Sequence, residues 1–251
     1  DQCSTTIASY YSFANARRKN TALLNRYRAV AAVNFKLYEE LKHYIGGRVW
    51  CLPNGVDTTI YNSDNRRENK NIVVGWVGKP MWSIGWKRVG SYIEYMGMGG
   101  IWPELKNRLQ VLPGVEVREI ANLPDRAVGT DSMVNFYRGI DVLICTHYKC
   151  GTPNPAFEGA ACGCCVITTP AGAFSEVATA GGAILSTGYY GESDEERVEN
   201  VISDITGKVK RLDRDAINHY SKCGEDIIRK NWSWKQRVIP WGDMLTKARY
   251  K

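Results

Sequence analysis

Val142-Leu143-Ile144-Cys145, just after Asp141, is a short apolar run; a loop, Thr146 to Asn154, follows it, and then Pro155-Ala156-Phe157-Glu158-Gly159-Ala160-Ala161-Cys162-Gly163. An unbroken apolar run of this length fits a strand buried on both faces. Asn154 has the residue type of a helix N-cap, and Pro155 falls where proline is best tolerated, at the first helical position. Gly163 then ends the helix, and Cys164–Thr169 starts the next strand at once. Strand, helix and strand in such close order make a parallel βαβ unit.

The same alternation extends in both directions. Strands are predicted at Ala29–Val33, Arg48–Leu52, Asn71–Val77, Val115–Ile120, Asp141–Thr146, Cys164–Thr169 and Gly182–Ser186. Between them, helices fit Phe35–Tyr44, Lys87–Tyr95, Trp102–Gln110, Ser132–Arg138, Pro155–Cys162 and Asp194–Gly207. The fold class is therefore α/β, a Rossmann-like, doubly wound parallel sheet with helices on both faces. Residues 1–28 read as one helix or two, and residues 29–213 as the Rossmann-like domain. Residues 214–251 read as helices anchored by Trp232, Trp234 and Trp241. The stretch Asn62 to Asn71, polar throughout, is the one plausible linker or exposed loop.

Composition narrows the function classes. The chain has 251 residues, 44% of them hydrophobic, so a disordered tail is excluded and one large domain or two small ones is expected. No apolar run is long enough for a membrane-spanning helix. The chain starts Asp1-Gln2-Cys3-Ser4 with no secretory leader, which reads as the cut end of a longer polypeptide. The net charge of +7 is spread over short clusters such as Arg17-Arg18-Lys19, Arg66-Arg67 and Lys208 to Arg211. It fits a solvated basic surface, an anionic ligand such as a nucleoside diphosphate, or contact with an acidic membrane surface. Nucleic-acid binding is not expected, because no motif for it accompanies the charge. The eight cysteines lie mostly in apolar or strand-like surroundings, and the Cys162-x-Cys164-Cys165 run has no second pair or His beside it, which favours buried thiols and a cytoplasmic location or another reducing compartment over zinc.

The helix after Asn154 directs its amino end out of the carboxyl edge of the sheet, where open α/β folds bind ligands. Free amides and the helix dipole suit that end to phosphate. Glu158, read as lying in the first turn, can reach a sugar hydroxyl there, although carboxylates also favour first turns for dipole reasons alone. A second turn, Gly75-Trp76-Val77-Gly78-Lys79 with Lys87 beyond it, brings two cations to the same edge. It is neither a Walker loop nor a GxGxxG fingerprint, and Gly97-Met98-Gly99-Gly100 also fails that pattern. Lone loop lysines are more often solvated than functional.

Five segments occur in a specific order: Leu52-Pro53-Asn54-Gly55-Val56-Asp57, Gly75 to Lys79 with Lys87, Tyr137-Arg138-Gly139-Ile140-Asp141-Val142, Gly151 to Gly163, and Gly172 with Glu176. With the Trp232-Ser233-Trp234 ending, the set resembles the C-terminal, nucleotide-sugar-binding domain of GT-B glycosyltransferases of the retaining family-four group. The resemblance covers about residues 28 to 245. It implies transfer of a sugar, with retention, from a nucleoside-diphosphate sugar to a glycan or other hydroxyl acceptor. It further implies that Lys79 and Lys87 contact the diphosphate and stabilise the leaving nucleotide, and that Glu158 binds the ribose. Gly78 and the loop Cys150, Gly151, Thr152, Pro153 and Asn154 lie against the donor, with amides from Thr152 and Asn154. Ile120, Ala121, Asn122 and Leu123 match the segment lining the nucleobase. In the mechanism proposed for the family the donor phosphate helps to deprotonate the acceptor. No cofactor and no metal is expected, since no Asp-x-Asp pair stands at the diphosphate and the family is usually metal-independent.

The sequence departs from the family in two ways. Where the family commonly has a glutamate contacting the transferred sugar, eight residues before the ribose-binding one, this chain has Cys150. A thiol cannot replace a carboxylate's bond to a hexose hydroxyl, so either the donor differs or the domain is a catalytically degenerate nucleotide-sugar-binding module. A GT-B enzyme also needs an acceptor-binding Rossmann domain, of which residues 1–28 would be the last helices, with residues 214–251 crossing back toward it. Alone, the chain is expected to bind donor better than to turn it over.

Overall fold

A computed structural model describes residues 6–8, 24–78, 101–121, 128–147, 150–170, 172–188 and 190–249. Its parallel strands form two sheets. The first joins β1 (Thr6–Ala8), β2 (Val30–Ala32) and β3 (Val49–Cys51) in that order. The second is built from β4 (Ile72–Gly78), β5 (Val115–Ala121), β6 (Val142–Cys145), β7 (Cys165–Thr168) and β8 (Ile184–Leu185), in the order β5-β4-β6-β7-β8.

Eight α-helices accompany the strands among the described residues. They are α1 (Phe35–Ile45), α2 (Trp102–Gln110), α3 (Thr130–Arg138), α4 (Asn154–Ala161), α5 (Phe174–Thr179), α6 (Asp194–Arg211), α7 (Arg214–Ile227) and α8 (Trp234–Arg249). The doubly wound, Rossmann-like reading holds for the five-stranded sheet, because alternate residues of its strands enter two separate cores. Leu143 and Cys145 pack with Tyr137, Phe157 and Phe174 from α3, α4 and α5. Val142 and Ile144 pack on the other face with Trp102, Leu105, Val201 and Ile205 from α2 and α6. Burial on both faces is why β6 and β7 read as unbroken apolar runs.

Two expectations are corrected. Residues 1–28 do not read as helices alone, since β1 pairs in parallel with β2, Thr6 opposite Val30. Residues 29–213 do not build one sheet either, because β2 and β3 join β1 and not β4. The strand–helix alternation is a local signal that continues unchanged where one sheet stops and another starts. Only the polar stretch 62–71, between β3 and β4, marks the change. Helix α5 also went unforeseen, because its six residues are too few for a periodic pattern. The expected helix Lys87–Tyr95 lies outside the described residues.

The tail ties the sheets together. α1 covers one face of the three-stranded sheet through Leu37, Leu41 and Ile45. α8 covers the other, where Met244 and Ala248 meet Ala29, Ala31 and Leu52, with Trp241 and Trp50 alongside. Trp232 is buried against Phe157 of α4, ring centroids 4.7 Å apart. The two segments that pass between the sheets are themselves paired: Val56 N–H donates to Trp232 O at 2.9 Å, and Trp234 N–H to Val56 O at 3.0 Å.

Candidate functional site

The order β5-β4-β6 places the first strand of the larger sheet between its second and third, so the winding reverses between β4 and β6. The crevice at the carboxyl ends of such a pair is the general ligand site of open α/β sheets. Gly78, the last residue of β4, pairs with Ala121, the last of β5, and Val77 with Ile120. Trp76 of β4 pairs with Ile144 of β6, one residue before that strand ends. Gly78, Ile120, Ala121, Thr146 and the loop residues just ahead of α4, Cys150 to Pro153, thus share one edge. Lys79, Lys87, Asn122 and Leu123 lie outside the described residues.

Along that loop the structure shifts the expected helix start by one residue. Pro153 is the cap, Asn154 is the first helical residue and makes no capping bond, and Pro155 is the second. Neither proline has an N–H, and the amide of Ala156 already donates to Pro153 O at 2.9 Å. The amides the loop can present to an anion are therefore those of Gly151, Thr152 and Asn154. The Thr152 side chain is engaged elsewhere: its hydroxyl donates to Val33 O at 3.1 Å and accepts from Asn54 N–H at 3.4 Å.

Glu158 is the fifth residue of α4, one turn in and beyond the first turn, so the dipole explanation for a carboxylate there loses force. Its Oε2 accepts a hydrogen bond from the Tyr137 hydroxyl at 2.9 Å. Burial raises the Glu158 carboxyl above its usual range, and the Tyr137 bond partly opposes the rise. Tyr137 is fully buried at the end of α3, and burial with the Glu158 charge holds its phenol well above the ordinary tyrosine value. Tyr61 packs at 6.3 Å from the Tyr137 ring, its own phenol pushed up to about 12 by burial and by Glu158. One hydrogen bond from α3 thus holds the carboxylate of α4, with Tyr61 packed beside the donor ring.

Tyr137 belongs to one of the segments quoted from the sequence, but its contact with Glu158 was not foreseen there. A tyrosine at a core-facing position needs a partner for its hydroxyl. That requirement, applied to Tyr137, points to a polar group on a neighbouring element.

Cys150 sits at the mouth of the same loop, and burial pushes its thiol up to about 12. It lies against Gly172, whose φ is +64° and where a Cβ would fall 2.8 Å from Cys150 Sγ and 2.7 Å from Gly151 O. Ala173 N–H donates to Gly151 O at 2.9 Å, so the start of α5 braces the loop from behind. Cys145, Cys162, Cys164 and Cys165 are buried free thiols, each raised by burial. Among the described residues no three His, Cys, Asp or Glu side chains gather to hold a metal ion, and no helix is long and apolar enough to cross a membrane.

Residues 89–206, just under half of the chain, match the family described as glycosyl transferases group 1. No curated protein matches by sequence. Among solved structures the chain is similar to sucrose-phosphate synthase from Thermosynechococcus elongatus, at 13% identity and TM-score 0.65 over 92% of this chain and 61% of that one. It is similar to a glycosyltransferase from Rickettsia africae, at 12% identity and TM-score 0.59 over 98% of this chain and 70% of that one. HepE of Anabaena, solved with UDP and glucose, matches at 16% identity and TM-score 0.56 over 94% of this chain and 68% of that one. These likenesses show the fold, an α/β, Rossmann-like one. The chain spans only about three fifths of the length of the sucrose-phosphate synthase it matches.

Proposed function

We propose that the chain is the donor-binding part of a retaining GT-B glycosyltransferase, which transfers a sugar from a nucleoside-diphosphate sugar to a glycan or other hydroxyl acceptor. The observation that carries the reading is Glu158, held by Tyr137 one turn inside the helix that begins at the winding reversal. The match of residues 89–206 to group 1 glycosyl transferases supports it, as does a fold neighbour solved with UDP and glucose. In this reading the ribose hydroxyls bond to Glu158, and the diphosphate lies over the amides of Thr152 and Asn154. The base rests by Ile120 to Leu123, next to Gly78. Lys79 and Lys87 offset the charge that grows on the departing nucleotide, a type of stabilisation worth several kcal/mol when the donors are preorganised. The donor's own phosphate oxygen takes the acceptor proton, and neither metal nor cofactor enters. An acceptor-binding part completes the cleft on the side of the three-stranded sheet, toward which α8 crosses.

Cys150 favours a second reading, a binding module that holds nucleotide sugar without transferring it. Calorimetry with UDP-, GDP- and ADP-sugars tests both. Binding that disappears in Lys87→Ala and Glu158→Ala supports the donor site, and sugar transfer or donor hydrolysis then separates enzyme from module. Binding of oligonucleotides with steep salt dependence, and of no nucleotide sugar, overturns both.

A further inference from the structure

The loop ahead of α4 is held by the other sheet. Thr152 Oγ1 donates to Val33 O, at the end of β2, and accepts from Asn54 N–H in the segment passing between the sheets. Gly151 lies so close to Val33 that a Cβ on it would collide with Val33 Cγ2. Asn34, which caps α1 by accepting from Leu37 N–H at 2.8 Å, reaches across with its amide to Cys150 O at 3.5 Å. On its other side the loop is fixed by Gly172 and Ala173. Asn54 in turn belongs to a segment whose Gly55 and Val56 press on Trp234 and bond to Trp232.

We infer that Thr152 is a positioning residue: through its hydroxyl, the turn at Val33–Asn34 sets the conformation in which the loop offers its amides to an anionic ligand. The inference rests on the donor-site reading above. Its physical content is a coupling. The hydroxyl satisfies a carbonyl from one sheet and an amide from the connecting segment while its own backbone lies at the ligand. Any change in how the sheets dock therefore shifts the loop amides, and an anion that fixes the amides must, by linkage, steady the docking. Preorganised amides bind an anion better than amides that must first be ordered.

UDP affinity measured by calorimetry well below the melting temperature tests this. Thr152→Val keeps shape and removes the hydroxyl, and is expected to weaken UDP about tenfold; Thr152→Ser restores the hydroxyl and most of the affinity. Asn34→Ser retains an N-cap for α1 but cannot span to Cys150 O, and is expected to weaken UDP about threefold. In hydrogen exchange, UDP is expected to slow the amides of Asn34 and Asn54 in the unsubstituted protein and to lose that effect in Thr152→Val. If Thr152→Val melts earlier yet binds UDP as tightly as the parent, the hydroxyl is merely structural and the inference is overturned while the donor site stands. If the unsubstituted protein binds no UDP, GDP or ADP, the donor reading falls and the inference with it.

Discussion

The phenol of Tyr137 and the carboxylate of Glu158 meet at 2.9 Å across the packed faces of α3 and α4, with the tyrosine wholly buried. A long carboxylate side chain beside a ligand crevice would otherwise sample several rotamers and would have to be ordered by the ligand. Tyr137→Phe deletes one hydroxyl and leaves the core filled. The expected result is nucleotide binding about tenfold weaker, since a hydrogen bond to a charged group contributes roughly 1.5–3 kcal/mol. Titration with UDP checks it; unchanged affinity removes Tyr137 from the site.

Glu158→Gln separates binding from stability. The Glu158 carboxyl is raised above its ordinary 4.5 by burial, so the folded state holds the proton more tightly than the unfolded chain. The ligand-free protein is therefore stabilised below the unfolded value, and that contribution is lost as pH rises through the folded one. Glu158→Gln carries no such charge and is expected to melt about 2–4 °C higher at pH 8 than the parent, a difference that vanishes near pH 4. Its UDP affinity falls instead, and with it the preference for UDP over 2′-deoxy-UDP. Melting curves across pH and paired titrations decide both halves.

How much of this was legible depended on how local the signal was. Strands β2 to β8 and most helices announced themselves, because a run such as Val142–Cys145 buried on both faces needs apolar residues at every position. The loop, Glu158 and the carboxyl edge followed from one proline–glycine-bounded helix. The boundary between the sheets showed only as the polar stretch 62–71, because pairing of β2 with β1 in place of β4 is a tertiary choice among equally apolar strands. The contact of Tyr137 with Glu158 did not show, because the partner is 21 residues away on another element. The one-residue shift at Asn154 has a plainer cause: Pro153 can cap the helix by backbone geometry alone, without any side-chain bond.

At the amino edge of the sheet, far along the strands from Glu158, Asp141 plays a different role. Its buried carboxylate accepts from Val73 N–H at 2.8 Å and Asn69 Nδ2 at 3.2 Å, and faces Arg214 at 2.8 Å and Arg66 at 3.9 Å. Asp141→Ala leaves the Val73 amide without its acceptor and removes the ion-pair partner of Arg214, which keeps its bonds to Asn69 O and Asn71 O; it is expected to cost about 3 kcal/mol, less than a fully buried pair would because Arg214 is partly solvated. Denaturant melts should show this loss, with UDP affinity unaltered below the transition. A large fall in affinity would mean that the two edges of the sheet are coupled.

Cys150 is where the chain departs from the family pattern, and its surroundings sharpen what a replacement must do. With its thiol pushed up to about 12, Cys150 stays protonated at neutral pH and offers a sugar only a weak donor. Its sulfur lies against Gly172, where even a Cβ would come within 2.8 Å, so a longer side chain has no room on that side. Cys150→Glu puts a carboxylate at the position where the resemblance places contact with the transferred sugar. The expected outcome is a change of at least tenfold in the ratio of affinities for UDP-glucose and UDP, because only the sugar meets the new group. Cys150→Ser, similar in size and uncharged, is expected to leave that ratio within about twofold. Should Cys150→Glu leave donor preference and rate as they were, position 150 does not read the sugar, and donor choice has to be set elsewhere along the edge formed by Gly78, Ala121 and the amino end of α4.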